Sequence, residues 1–195
     1  MSAVAAQLQV HRWIYEEWDQ MVATGFFEGK RVELIDGKIV DMSPQLPGHS
    51  IAIILAAEAM RRAFPGSRSH VRVQMPLRTG NDSEPEPDVA VVKGSVRDAS
   101  KTEHPTTALI VIEVADDSLK RDRNIKADLY AAAGIADYWI LNLPQRQCEV
   151  RRKPVRDAKR WFGFRYSQVA VFKAGESIAP LAAKSQPIAV ADLLP

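Results

Sequence analysis

The chain has 195 residues, 46% hydrophobic and 26% charged, with a formal net charge of +2. That is enough for one globular domain with a sizeable core, and the near-neutral balance removes any global electrostatic footprint for nucleic acid, leaving only local basic patches. Cys148 is the only cysteine, which excludes an intrachain disulfide and makes a thiolate zinc site implausible. The apolar runs fall far short of the roughly 20 residues that span a bilayer, and Met1–Val10 lacks a basic start and an apolar core of a signal peptide. The reading is a cytoplasmic protein without a membrane segment, one domain over 1–195.

Residues 1–12 read as a loose terminus, followed by a short amphipathic helix over Trp13–Ala23 anchored by Trp13, Trp18, Met21 and Val22. Arg31–Met42 alternates around Asp36-Gly37, a strong two-residue turn signal because glycine accepts positive φ, and predicts a β-hairpin. A helix follows from about His49 to Phe64, stopped by Pro65-Gly66. Its first half, Ile51–Ala57, is apolar nearly all round and predicts burial against a sheet. Strands are predicted at Val71–Leu77 and Val89–Val92, then a polar irregular stretch over 93–107. Ala108–Val114 is apolar on both faces and predicts a central strand. A loop and a helix ending near Ala133 come next, with Gly134 as the residue that closes it. Asp137–Leu143 and Gln147–Arg152 predict a strand pair, Lys153–Arg160 a charged loop, Trp161–Phe172 one or two strands, and Ala189–Leu194 a terminal helical turn. The mixture is α/β or α+β with a mixed sheet.

Three stretches carry chemistry. Glu113 lies near the end of the apolar run at 108–114, where an uncompensated charge would cost several kcal/mol. Asp88 opens the apolar run at 89–92, so pairing of the two strands brings both carboxylates together. In the helical stretch after 121, Asp122, Lys126 and Tyr130 share one face by i,i+4 spacing. An Asp, a Glu and a Lys at one end of a small sheet suit metal-assisted phosphodiester hydrolysis, with carboxylates holding the ion and the lysine meeting the phosphate.

Glu33-Leu-Ile-Asp-Gly37, Ser83-Glu-Pro-Glu-Pro-Asp88, Glu113-Val114 with Asp116 and Ser118-Leu119, and Asp122-Arg-x-x-Lys126-x-x-x-Tyr130 through Gly134 to Tyr138-Trp139 together resemble the Uma-type family, a domain of unknown function classed among the candidate restriction endonucleases of the PD-(D/E)XK superfamily. The match spans roughly residues 13 to 152; the strands expected from 153 to 195 are less diagnostic. The resemblance implies a restriction-endonuclease-like core, a mixed central sheet flanked by helices on both sides. It implies Asp88 and Glu113 as ligands of Mg²⁺ or Mn²⁺, the Val114 carbonyl as a further ligand, Glu33 as an acidic residue near the ion, and DNA as substrate. The superfamily's lysine normally sits two positions after the acid; that position is Ala115 here, and Lys126 resembles a migrated lysine reaching back from the helix.

Each residue also has a plainer reading. Asp88 could open a strand after Pro87; Glu113 could be half of a structural ion pair with Lys126; Lys126 could be a solvated helix residue paired with Asp122; Glu33 could be an exposed hairpin residue. His49, Gln74, Asp122 and Tyr130 are supporting candidates around the site. The arginine and lysine groups at 61–62, 151–153 and 159–160 could touch phosphates but read first as solvated clusters. The expectation is an endodeoxyribonuclease, with a homodimer plausible because cutting two strands needs two sites. The alternatives are a catalytically silent nucleic-acid-binding or interaction module of the same fold, and a hydrolase of another phosphoester.

Overall fold

The computed structural model describes residues 9–99 and 103–195. Helix α1 (Tyr15–Ala23) leads into the hairpin β1 (Val32–Ile35) and β2 (Lys38–Asp41), then α2 (Pro47–Ala63), β3 (Ser69–Val73) and β4 (Val89–Lys93). A short α3 (Val96–Ala99) precedes β5 (Ile110–Ala115). The next helical stretch runs through α4 (Leu119–Arg121), a π-helical segment (Asp122–Lys126) and α5 (Ala127–Ala132), with Gly134 in the left-handed region just beyond. Strands β6 (Asp137–Asn142), β7 (Gln147–Arg156) and β8 (Phe164–Lys173) follow, then a small β9 (Ser177–Ile178) and β10 (Ile188–Ala189) pair and a 3₁₀ turn at Val190–Leu193.

Six strands form one mixed sheet in the order β3-β4-β5-β6-β7-β8. Only β5 and β6 run parallel. Helices cover both faces, which is why β4 and β5 are apolar on both sides rather than alternating. One face packs Ala52, Ile53, Ala56 and Met60 of α2 with Val89, Val91, Ile112 and Val114. The other packs Ala127, Tyr130 and Ala131 of α5 with Ala90, Val111, Tyr138 and Ile140. Because side chains alternate along a strand, Asp88 shares the α5 face with Ala90, and Glu113 shares it with Val111 and Ala115.

Several boundaries differ from the sequence-based expectation. The strand expected from Val71 to Leu77 instead spans Ser69–Val73. Gln74 ends it at φ +48°, a conformation uncommon outside glycine. The charged loop expected at Lys153–Arg160 is partly strand: β7 continues to Arg156 because β8 supplies a ten-residue partner. The start of α2 is not buried all round, since Ile51 and Ile54 are about half exposed. In α1 the buried anchors are Tyr15 and Trp18, whereas Val22 is exposed. Arg152 and Arg160 are not simply solvated; they bond the buried carboxylates of Asp137 at 2.7 Å and Asp128 at 3.0 Å. Most of the expected loose terminus lies outside the described residues.

The Asp36-Gly37 turn has both residues at positive φ, +52° and +66°, which matches the strand twist of a two-residue hairpin. The hairpin is docked rather than free. Gly37 N–H donates to the Asp82 carbonyl, and Glu84 N–H to the Leu34 carbonyl, each at 2.8 Å. Trp161 Nε1–H donates to Asp36 Oδ2 at 3.1 Å from the loop before β8. These ties fix the strand that carries Glu33.

Candidate active site

Strands β4 and β5 pair antiparallel with Val89 opposite Ile112, so Asp88 and Glu113 are the next cross-strand neighbours. The two carboxylates interlock through the backbone. Val114 N–H donates to Asp88 Oδ2 at 2.8 Å, and Asp88 N–H approaches Glu113 Oε2 at 3.4 Å. Both residues are buried, at 6% and 4% exposure. Each keeps one oxygen firmly bonded and the other loosely held. Glu113 Oε1 accepts from Tyr130 at 2.6 Å and from Lys126 at 3.0 Å, while among the described residues its Oε2 has only the long contact to Asp88. Asp88 Oδ1 has only long contacts among the described residues, 3.3 Å to Gln74 and 3.4 Å to His49.

The helical stretch after β5 delivers Lys126. Its π-helical segment closes an Asp122 carbonyl to Ala127 N–H bond, one residue wider than an α-turn. Such insertions are frequent at functional sites. Lys126 is therefore not the solvated partner of Asp122: it is 3% exposed and donates to Glu113 and Glu33, each at 3.0 Å. Asp122 is buried too, and instead accepts a short hydrogen bond from Ser118. Glu33 is not an exposed hairpin residue either; it is 1% exposed, accepts Glu86 N–H at 3.3 Å, and its Oε1 has no partner among the described residues.

Burial drives the electrostatics. It raises the Glu113 carboxyl to about 8 against the opposing pull of Lys126, with Asp88 and Asp122 adding to the rise. Burial likewise raises Asp122 and Glu86. Lys126 loses solvation, but attraction to Glu113, Glu33 and Asp122 outweighs that and holds its ammonium charged. The hydrogen bond to Asp88 raises His49. Burial raises Tyr130 far above its ordinary value, so its hydroxyl remains a donor to Glu113.

The structure thus brings Asp88, Glu113, Lys126, Glu33, His49, Gln74 and Tyr130 into one connected cluster, with Asp122 beside it. Sequence reasoning singled out neither Arg31 nor Arg121 nor Glu86, which line the same cleft. The only available signal was their adjacency to Val32, Asp122 and Pro87 in the motifs.

Among the described residues no three Asp, Glu, His or Cys side chains form a ready-made cage for an ion. Mg²⁺ does not require one; it is usually held by one or two carboxylates plus waters and substrate oxygens. The loosely held oxygens of Asp88 and Glu113 and the orphaned Glu33 Oε1 leave oxygen acceptors without firm partners here, a donor set that fits a divalent cation. The Val114 carbonyl fits as well, because a strand residue's N–H and C=O face the same edge, and its N–H faces Asp88.

Comparison with known proteins agrees with this architecture. A crystal structure described as "a putative nuclease belonging to DUF820 from Anabaena variabilis" aligns with a TM-score of 0.60 at 14% identity, over 83% of this chain and 88% of that one. At that identity the likeness speaks for the fold alone. No curated protein matches. No helix among the described residues is long and apolar enough to cross a membrane. The Uma2 family, described as "Putative restriction endonuclease", matches residues 15–190, and this chain belongs to it.

Proposed function

We propose that the chain is a Mg²⁺- or Mn²⁺-dependent endonuclease that hydrolyses phosphodiester bonds in DNA. The observation that carries this reading is the Asp88–Glu113 pair, cross-strand neighbours on one face of the sheet with Lys126 bonded beside them. Asp88 and Glu113 would hold the ion, with the Val114 carbonyl as a third donor. When bound, the ion would polarise the phosphoryl oxygen and supply an activated water. Lys126 has three donors and spends two on Glu33 and Glu113, which leaves one for the phosphate. As a compact point charge it stabilises the charge that develops on the phosphoryl oxygens. Glu33 positions Lys126 and helps keep it protonated. Tyr130 and Gln74 orient the two carboxylates, and His49 flanks Asp88. Two copies would serve the two strands of a duplex.

The test is cleavage of supercoiled plasmid, single-stranded DNA and RNA in Mg²⁺, Mn²⁺ or chelator. The parent is expected to nick plasmid only with metal. Asp88→Asn and Glu113→Gln are expected to lose the activity at least about 100-fold while melting as folded proteins. Equal cutting by either variant sinks the assignment.

One observation favours a second reading, a silent module of the same fold: Lys126 is locked into two buried ion pairs. That reading predicts nucleic-acid binding without cleavage under every metal condition.

A further inference from the structure

Carboxylates crowd the cleft above Asp88 and Glu113. Glu86, Asp117 and Asp122 also line it, and two of the three donors of its buried cation, Lys126, are taken by carboxylates. A phosphodiester entering such a cleft meets repulsion unless cations at the mouth offset it. Two arginines occupy that mouth.

Arg31 stands on the hairpin side, immediately before β1. Its carbonyl accepts Met42 N–H at 2.9 Å, so the hairpin fixes its backbone. Arg31 is exposed and lines the cleft, and its charge partly offsets the rise that burial imposes on the Glu86 pKa; no ion pair or side-chain hydrogen bond engages it among the described residues. Arg121 stands on the helix side, the last residue of α4. Its side chain is about one-third exposed, and its buried Nε–H lies 4.0 Å from Asp122 Oδ1 in a loose ion pair but makes no hydrogen bond among the described residues. Arg123, Arg152 and Arg160, by contrast, are spent on the carboxylates of Glu149, Asp137 and Asp128. A planar fork with unspent donors suits the oxygens of a phosphate. Beyond Arg121 the surface continues into a second depression lined by Lys120 and Asn124 and sharing Asp117 and Ser118 with the cleft.

We propose that Arg31 and Arg121 form a two-sided clamp for the sugar-phosphate backbone, gripping phosphates from opposite lips of the Asp88–Glu113 cleft. The backbone leaves the cleft past Arg121 along Lys120. The clamp reads phosphate and not base, so it contributes affinity without sequence preference. This rests on the nuclease reading above.

The experiment measures binding of a labelled DNA duplex by anisotropy in Ca²⁺ over a salt series, for the parent, Arg31→Gln, Arg121→Gln, the double variant and Arg121→Lys. Each single loss is expected to weaken binding roughly tenfold and lower the slope of log affinity against log salt by about 1. The double variant is expected to lose about 2 in slope, and Arg121→Lys to recover part of the affinity because charge returns without the fork. Plasmid cleavage is expected to show a raised KM with kcat little changed. If the parent binds and cuts while the arginine variants match it in affinity and slope, the clamp falls and the nuclease reading stands. If the parent neither binds nor cuts any nucleic acid, both fall.

Discussion

Lys126 Nζ donates to Glu33 Oε2 at 3.0 Å, across 93 positions of sequence, and both side chains are almost completely buried. The bond joins the docked hairpin to the helical stretch behind the central sheet. It also closes a chain of contacts from Glu33 through Lys126 and Glu113 to Tyr130. The group thus carries two duties, holding the hairpin in place and holding charge at the cleft.

Removing the lysine should expose the first duty. Lys126→Met leaves Glu33 and Glu113 as buried carboxylates with their charged partner gone. Breaking a buried pair from one side costs about 3–5 kcal/mol. Urea unfolding of the metal-free protein should show a loss of that size. Adding Glu33→Gln to Lys126→Met should recover part of it, because one stranded charge is then neutral. A loss below about 1 kcal/mol for the single variant would show that the pair is not structural.

Tyr130→Phe is a gentler probe of the same network. The hydroxyl donates to Glu113 Oε1 at 2.6 Å, and that oxygen keeps Lys126 after the change. The expected cost is about 0.5–1.5 kcal/mol, the usual range for a hydrogen bond within a protein. The bond also lowers the Glu113 pKa, so the variant should titrate Glu113 at higher pH, read by carboxyl chemical shifts in selectively labelled protein. An unchanged titration would remove Tyr130 from the site.

Gly37 offers a test of the hairpin's docking. It sits at φ +66°, and a Cβ there would lie 2.7 Å from Arg12 Cβ and 3.1 Å from the Trp13 carbonyl. Gly37→Ala combines an unfavourable backbone conformation with a close contact that the backbone must yield to. A destabilisation of about 1–3 kcal/mol is expected by urea unfolding. Because the same hairpin holds Glu33, nuclease activity should fall with it. A variant as stable as the parent would mean that the Arg12 segment moves freely aside.

Much of this arrangement was legible in the sequence because it is written in local pattern. The apolar runs after Asp88 and before Glu113 mark buried strands, and Asp36-Gly37 marks the turn. The resemblance motifs join Lys126 to them. What was not legible depends on partners remote in sequence. Alternation around Val32 and Leu34 left an exposed Glu33 open beside its place near the ion, since nothing local shows that the 83–88 segment and Lys126 cover it. The i,i+4 rule placed Asp122 beside Lys126, but a π-helical turn depends on packing and has no spacing signature. The reach of β7 to Arg156 is set by the length of β8, not by its own charged residues.

The pH dependence of stability follows from Glu113. Its folded carboxyl is raised to about 8 from an ordinary value of 4.5, chiefly by burial. Between those two values the folded state holds a proton that the unfolded chain has released. Stability therefore falls as pH rises through that window. Below the window both states are protonated and above it both are ionised, so the decline is confined to it. His49 acts in the same direction: its pKa is raised by the Asp88 hydrogen bond, and its contribution is present below its ordinary 6.5 and lost as pH climbs through the folded value. Asp122 and Glu86, both raised by burial, add to the decline at its acidic end. Lys126 does not flatten the curve, because its raised pKa matters only above the ordinary lysine value of 10.5. Urea midpoints taken in chelator at about pH 5, 7 and 8.5 should decrease in that order, and Glu113→Gln should lose much of the decrease. Midpoints that rise with pH would mean that Glu113 is ionised throughout, with Lys126 fully compensating its burial.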